Sequence, residues 1–382
     1  MGIGEALQRA WWQPRMTLLA ALLLPLSWVF GIVSALRRAA YRSGWLRRTR
    51  LPVPVVIVGN IAVGGAGKTP LVIALVCALR ERGFHPGIVS RGHGRHDGAP
   101  RVVRPDDRAR DVGDEPPILA GSGAPVCVGR SRSAAARALL AAHPEVDMIV
   151  GDDGLQHYAL DRDVEIAVVD EARGNGNGLL LPAGPLREPV SRLAAVDAVV
   201  GLRSGESVAA PERSGAGAGR DASSGAGPGY SGTDAKNRVR PGFPAAYPMT
   251  QQPQPWLNVA DPAIVADTDR LRGPDLVAIA GIGNPQRFFD LLARLGLDPR
   301  THAFDDHHPY RRAEVAFPGA RAILMTEKDA VKCREFGDPR MWMLPIRASV
   351  DPALIDAVVE KLRGLQASRN ARVPGDQGPA DP

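Results

Sequence analysis

The segment between Val53 and Arg82 restricts the fold of this chain more than any other. Val53–Val58 (VPVVIV) is a continuous apolar run, as expected of a strand buried on both faces of a parallel sheet. Ala62-Val63-Gly64-Gly65-Ala66-Gly67-Lys68-Thr69 follows it. Leu71, Val72, Leu75, Val76 and Leu79 then recur at helical spacing, and Gly83 is placed to end the helix. Strand, Gly-rich turn and helix in this order make a phosphate-binding loop. Gly64, Gly65 and Gly67 can turn backbone N–H groups toward phosphate, and the helix N-terminus adds a favourable dipole. Lys68 can reach the β- and γ-phosphates of a nucleotide, and Thr69 can ligate Mg²⁺. The strict pattern GxxxxGK[ST] carries glycine where this chain has Ala62.

Such a loop needs an acid for its metal. Val146–Val150 reads as a second buried strand and leads through Gly151 into Asp152-Asp153-Gly154, so two carboxylates stand at the C-terminal edge of the sheet, where ligands bind. Gly113-Asp114-Glu115-Pro116 and Asp305-Asp306-His307-His308 are further constellations. A carboxylate beside a histidine is a common general base for an alcohol. Most loop acids are merely solvated, so neither constellation is specific alone, and His308 reads as a structural neighbour.

Further strands are expected at Gly87–Ser90, Pro125–Val128, Glu165–Val169 and Ala198–Leu202, with a helix at Ser133–Ala142. Alternating strands and helices predict an α/β protein with a doubly wound parallel sheet over residues 51–202. Residues 203–254 contain SGAGAGRDASSGAGPGYSG and are expected to form a flexible Gly/Ser-rich insertion. A second, smaller α/β lobe is expected over 255–366, with strands at Leu276–Ala280, Ala322–Met325 and Met341–Ile346 and helices at Pro285–Leu295 and Pro352–Leu362. Residues 367–382 read as a polar, disordered tail.

Residues 1–50 look like a membrane element. Met16–Leu36 holds 21 residues without a charge, close to the ~20 that cross a bilayer. Trp11, Trp12, Trp28 and Trp45 suit interfacial positions, and Arg37, Arg38, Arg42, Arg47, Arg48 and Arg50 form a basic collar that keeps the body in the cytoplasm. The length and the arginines argue against a cleaved signal peptide, and the charge-free run argues against a soluble core helix. A spanning helix and a monotopic helix interrupted by Pro25 and Gly31 both fit. The net charge of +6 suits an anionic partner, but aromatics make up only 5% and no nucleic-acid motif is present, so no nucleic-acid partner is expected. Cys77, Cys127 and Cys333 lie far apart, which excludes a disulfide framework and fits a reducing compartment.

The motifs form a series. Gly59–Pro70, Ser90-Arg91-Gly92-His93-Gly94-Arg95, Val112–Pro116, Asp152-Asp153-Gly154-Leu155-Gln156-His157, Pro182–Glu188, Ala280–Pro285, Phe304-Asp305-Asp306-His307 and Met325–Lys332 together resemble the tetraacyldisaccharide 4′-kinase (lipid A 4′-kinase) family. Ala62 is in keeping with that family, and His93 stands where it often has an aromatic residue. The resemblance implies transfer of the γ-phosphate of ATP, with Mg²⁺, to the 4′-hydroxyl of a tetraacyldisaccharide 1-phosphate. The product would be lipid IVA, made at the cytoplasmic face of the bacterial inner membrane. It further implies that Asp114 lies nearest the acceptor hydroxyl with His307 as its partner, that Asp306 orients His307, and that Asp152 and Asp153 serve the metal. Glu115 and Arg187 are weaker candidates. The rival is a membrane-associated ATPase or GTPase switch, although no guanine-reading NKxD motif is present.

Overall fold

The computed structural model describes residues 3–13, 15–95, 97–203 and 245–370. It contains two sheets. The strands are β1 (Val55–Gly59), β2 (Pro86–Ser90), β3 (Arg101–Val102), β4 (Val126–Val128), β5 (Met148–Asp152), β6 (Val164–Asp170), β7 (Ala198–Leu202), β8 (Ala245–Pro253), β9 (Trp256–Asn258), β10 (Val265–Ala266), β11 (Leu276–Ala280), β12 (Arg300–Ala303), β13 (Ala322–Thr326), β14 (Met341–Leu344) and β15 (Ile346–Val350). The helices are α1 (Ile3–Trp11), α2 (Leu18–Arg42), α3 (Lys68–Glu81), α4 (Ala109–Val112), α5 (Pro116–Ala120), α6 (Arg132–Ala142), α7 (Thr268–Leu271), α8 (Pro285–Arg294), α9 (Glu327–Cys333) and α10 (Pro352–Asn370).

The larger sheet runs β15-β8-β7-β6-β1-β5-β2-β4-β3, with β8 through β4 parallel and the two edge strands antiparallel. Helices cover both faces, as a parallel sheet requires. Leu71, Leu75 and Leu79 of α3 and Leu354, Val358 and Leu362 of α10 bury one face, and Ala135, Ala136 and Leu139 of α6 pack on the other. This is the expected doubly wound α/β arrangement, and β1 stands at its centre with α3 beginning just past its C-terminal end. The second sheet, β10-β9-β14-β13-β11-β12, is parallel from β14 to β12 and has its own apolar layers.

The structure departs from the sequence reading in three places. The end of the expected insertion is β8, which pairs with β7 and β15 inside the larger sheet; residues 204–244 lie outside the described residues. The expected strand Met341–Ile346 divides: β14 stays in the second sheet, while β15 and α10 return to the first. Hence the second lobe does not extend to residue 366, because the apolar face of α10 matches α3 and not the second sheet. Finally, α2 runs unbroken through Pro25 and Gly31.

Candidate active site

The phosphate loop is shaped by two glycines with left-handed backbone, Gly64 (φ 97°) and Gly67 (φ 82°). A Cβ on Gly67 would stand 2.9 Å from Leu202 Cδ2 and 3.0 Å from Gln251 Nε2, so a larger residue is strained by the left-handed backbone and displaces two side-chain ends. The first turn of the loop is anchored to the protein. Ala62 pairs with Leu186, and the Val63 N–H donates to Pro185 O at 2.8 Å. Ala62 and Val63, the first residues of the expected cofactor-binding stretch, are thus anchored to the segment before Arg187, and Val63 also lines the cleft. Gly64, Gly65, Ala66, Gly67, Lys68 and Thr69 line a cleft of about 1780 Å³. Lys68 Nζ donates to Asn60 Oδ1 at 3.3 Å and lies 3.6 Å from Asp153 Oδ1.

The adjacent acids after β5 have opposite surroundings. Asp152 is buried, accepts from Ser90 Oγ at 3.4 Å, and leaves Oδ1 without a hydrogen-bond partner. Burial, with Glu115 and Asp153 nearby, pushes its pKa up to about 7. Asp153 takes a left-handed conformation (φ 46°) and accepts from Arg187 through both oxygens at 3.1 Å. Burial would raise its pKa, but Lys68 and Arg187 prevail and hold it down at about 2. Among the described residues no group of three or more His, Cys, Asp or Glu could hold a metal unaided. One buried carboxylate with an orphaned oxygen beside a phosphate loop nonetheless fits Mg²⁺, which takes one or two protein carboxylates and completes its shell with phosphate and water.

The opposite wall is assembled from both lobes. Asp114, between α4 and α5, is 5% exposed and sits behind the cleft surface. His307 lines the cleft, and its Nδ1 lies 2.9 Å from Asp114 Oδ2 and 3.1 Å from Oδ1. Burial raises the Asp114 pKa, but the His307 hydrogen bond and the Lys328 and Lys332 ammonium groups outweigh it, and the net shift is downward. His307 holds a positive φ of 64° and donates its N–H to Gly281 O at 3.2 Å. The His93 ring stacks on it at 4.1 Å between centroids.

Asp306 does not orient His307 by a hydrogen bond, since its Oδ1 is 3.8 Å from His307 Nε2. Lys328 stands between them, 3.2 Å from Nε2 and 3.3 Å from Asp306 Oδ1. Glu115, a weaker candidate for the metal, lines the cleft and pairs through Oε1 with Lys328 at 3.3 Å. His308 contacts Glu314 at 3.2 Å, away from the dyad, in line with a structural role.

One face of α2 is fastened to the body. Ser27 donates to Leu180 O at 2.7 Å and accepts from the Ala183 N–H at 3.0 Å. Gly31 lets Leu180 approach closely, and Arg38 pairs with buried Glu188 at 3.0 Å. Arg37 donates to Gln156 O, and Arg48 and Arg50 pair with Asp161 and Asp163. Four arginines of the basic collar therefore hold protein. Trp11 donates to Pro182 O and Trp12 lies under Arg173, so neither is a free interfacial anchor. Leu18, Leu22, Trp28, Val29, Ile32 and Leu36 remain exposed on α2, while its Phe30, Ser34 and Arg37 line the cleft.

Sequence reasoning passed over Lys328, Arg132 and Gln156. Arg132 is buried and donates to the carbonyls of Asp152 and Asp153 at 3.3 and 3.4 Å. Gln156 donates to Asn60 O and Glu188 Oε2, both at 3.0 Å. Lys328 and Gln156 lie inside the motifs, which was the available signal, whereas Arg132 lies outside them; the partners of all three are tertiary facts.

A nucleotide loop, a carboxylate–histidine pair and a docked apolar helix around one cleft define the class, a P-loop kinase. The profile of the tetraacyldisaccharide-1-P 4′-kinase family matches residues 19–363. A tetraacyldisaccharide 4′-kinase of Dechloromonas aromatica is 48% identical over 366 residues, covering 95% of this chain and 98% of the relative. One from an Azoarcus species is 48% identical over 346 residues, covering 90% and 92%. The crystal structure of LpxK from Aquifex aeolicus in complex with ATP superposes with a TM-score of 0.69 at 24% identity, covering 90% of this chain and all of that one, and shares the fold. The chain belongs to the tetraacyldisaccharide-1-P 4′-kinase family.

Proposed function

We propose that this chain transfers the γ-phosphate of ATP to the 4′-hydroxyl of a tetraacyldisaccharide 1-phosphate, forming lipid IVA at the cytoplasmic face of the bacterial inner membrane. The observation that carries this reading is a single cleft bordered by the phosphate loop, by His307 of the dyad and by residues of α2. ATP binds with its phosphates along Gly64–Thr69, and Lys68 stabilises the charge of the transferred group. Mg²⁺, held by Asp152 and Thr69, supplies further charge neutralisation when bound. Asp153, tied to Lys68 and Arg187, keeps both cations in place.

Asp114 and His307 position the acceptor hydroxyl. Its oxygen bonds to the γ-phosphorus as the bond to the ADP oxygen breaks, and its proton passes to the Asp114 carboxylate. The lowered pKa of Asp114 keeps it ionised and ready to accept. An acylated substrate stays in the bilayer, so the exposed apolar face of α2 brings the cleft to it. Because its other face is fastened to the body at Ser27, Gly31 and Arg38, α2 lies along the membrane surface and does not cross it alone. A nucleotide switch with no acceptor would leave the cross-lobe dyad without a task. Incubation with radiolabelled ATP and tetraacyldisaccharide 1-phosphate in detergent tests the reading: labelled lipid is expected, and release of free phosphate alone would sink it.

A further inference from the structure

We infer that Lys328 is a positioning residue that fixes the tautomer of His307 and so reserves Asp114 as the proton acceptor; the inference rests on the transfer reaction proposed above. Lys328 Nζ has three partners: His307 Nε2 at 3.2 Å, Asp306 Oδ1 at 3.3 Å and Glu115 Oε1 at 3.3 Å. An ammonium group has three donors and no acceptor. Nε2 of His307 must therefore accept, and the ring hydrogen resides on Nδ1. Ionised Asp114 can only accept, so Nδ1–H donates to it. The imidazole is neutral, with its two edges oriented by a cation on one side and an anion on the other. Without Lys328 no cation faces the Nε2 edge, and nothing there fixes which ring nitrogen carries the hydrogen.

The support behind Lys328 is built for precision. Thr326 caps α9 by accepting from the Asp329 N–H at 3.2 Å. Asp329, fully buried, accepts from the Gly281 N–H at 3.2 Å and the Tyr310 hydroxyl at 3.0 Å. Gly281 O in turn accepts from the His307 N–H. The same helix thus fixes the backbone of His307 and aims Lys328 at its side chain. Through Glu115, Lys328 also grips the first-lobe loop that carries Asp114.

The charged neighbours give the pH dependence its sign. Asp114 faces His307, Lys328 and, at 3.9 Å, Lys332. Lys328 faces Glu115, Asp306 and His307, and the His93 ring covers the other side of His307. Burial raises the Asp114 pKa and Lys328 opposes that, so removing the cation moves the acid limb of kcat to higher pH.

The test uses full-length protein in detergent with ¹⁵N-labelled histidine. In the wild type, the ¹⁵N resonances of His307 should place the unprotonated nitrogen at Nε2. Lys328→Met should abolish that signature, lower kcat about 100-fold, change the KM for ATP by less than about threefold and raise the acid limb. Lys328→Gln keeps a donor but loses the charge; it should retain the tautomer and still raise the acid limb, so it serves if the Met variant does not fold. Unchanged His307 resonances in Lys328→Met, or turnover within about twofold of wild type, would overturn the inference. A wild type that phosphorylates no lipid would refute the reaction and leave the tautomer to be judged by the resonances alone.

Discussion

The two walls of the cleft are built on different principles. The nucleotide wall is one continuous piece of chain at the end of β1, shaped by backbone conformation and capped by a single lysine. The acceptor wall joins side chains 193 residues apart, Asp114 from one lobe and His307 from the other, and exists only where the lobes meet. A Cβ on Gly283 would come within 3.4 Å of Gly65 N, so the lobes touch at the phosphate loop as well. Contiguous geometry suits a ligand common to many proteins, and composite geometry suits a step that must wait until both substrates are enclosed.

The sharpest way to break this comparison is to damage each wall separately. Asp114→Ala or His307→Ala should lower kcat by about 10²- to 10⁴-fold, with the KM for ATP within about threefold of wild type in steady-state assays. Lys68→Met should lower kcat comparably and weaken ATP binding too, as titration calorimetry would register. Loss of ATP binding in Asp114→Ala would mean that the walls are not separable.

A smaller effect is expected from the shape of the loop. Gly67→Val places a branched side chain at φ 82° against Leu202 and Gln251. The left-handed conformation alone costs roughly 1–2 kcal/mol, so the KM for ATP should rise about tenfold while the dyad is untouched. Smaller again is Ser27→Val, which removes two buried hydrogen bonds of α2 and costs about 1–3 kcal/mol. The KM for the lipid in mixed vesicles should rise while that for ATP stays fixed. Equal rises in both would argue against the docked helix as the acceptor's approach.

The smallest effect concerns stability against pH. Burial, then Arg132 and Arg162, lower the His157 pKa from 6.5 to about 4. Unfolded chains bind this proton at higher pH than folded ones, so the stability gained from a neutral His157 is present above pH 6.5 and is lost as pH falls toward 4. His157→Gln should flatten the fall in melting temperature over that window.

Legibility in the sequence follows the same division. The nucleotide wall could be read within some thirty residues, because strand, turn and helix are local patterns. The dyad could be placed only through the family resemblance, since no periodicity brings residue 114 to residue 307. Lys328 lies inside the Met325–Lys332 motif, but its role is not legible there because it depends on where α9 points. The basic collar was legible only as charge: arginines advertise charge, but Glu188, Asp161 and Asp163 as partners are a tertiary fact. Strand β8 was hidden by Pro248 and Pro253 and by its place after a low-complexity stretch. In β15 only five residues with alternating, half-buried side chains offered a signal.

The return of β15 and α10 to the first sheet bears on how the molecule is made. Met249 and Gln251 of β8 pack against Gly67, and β8 is in turn flanked by β15. In a chain emerging from the ribosome, α2 is therefore complete early, while the sheet beneath its phosphate loop lacks an edge strand and one helical cover until residues 346–370 arrive. A premature stop codon near residue 345 would therefore damage the sheet that carries the phosphate loop, not merely clip the end of the chain.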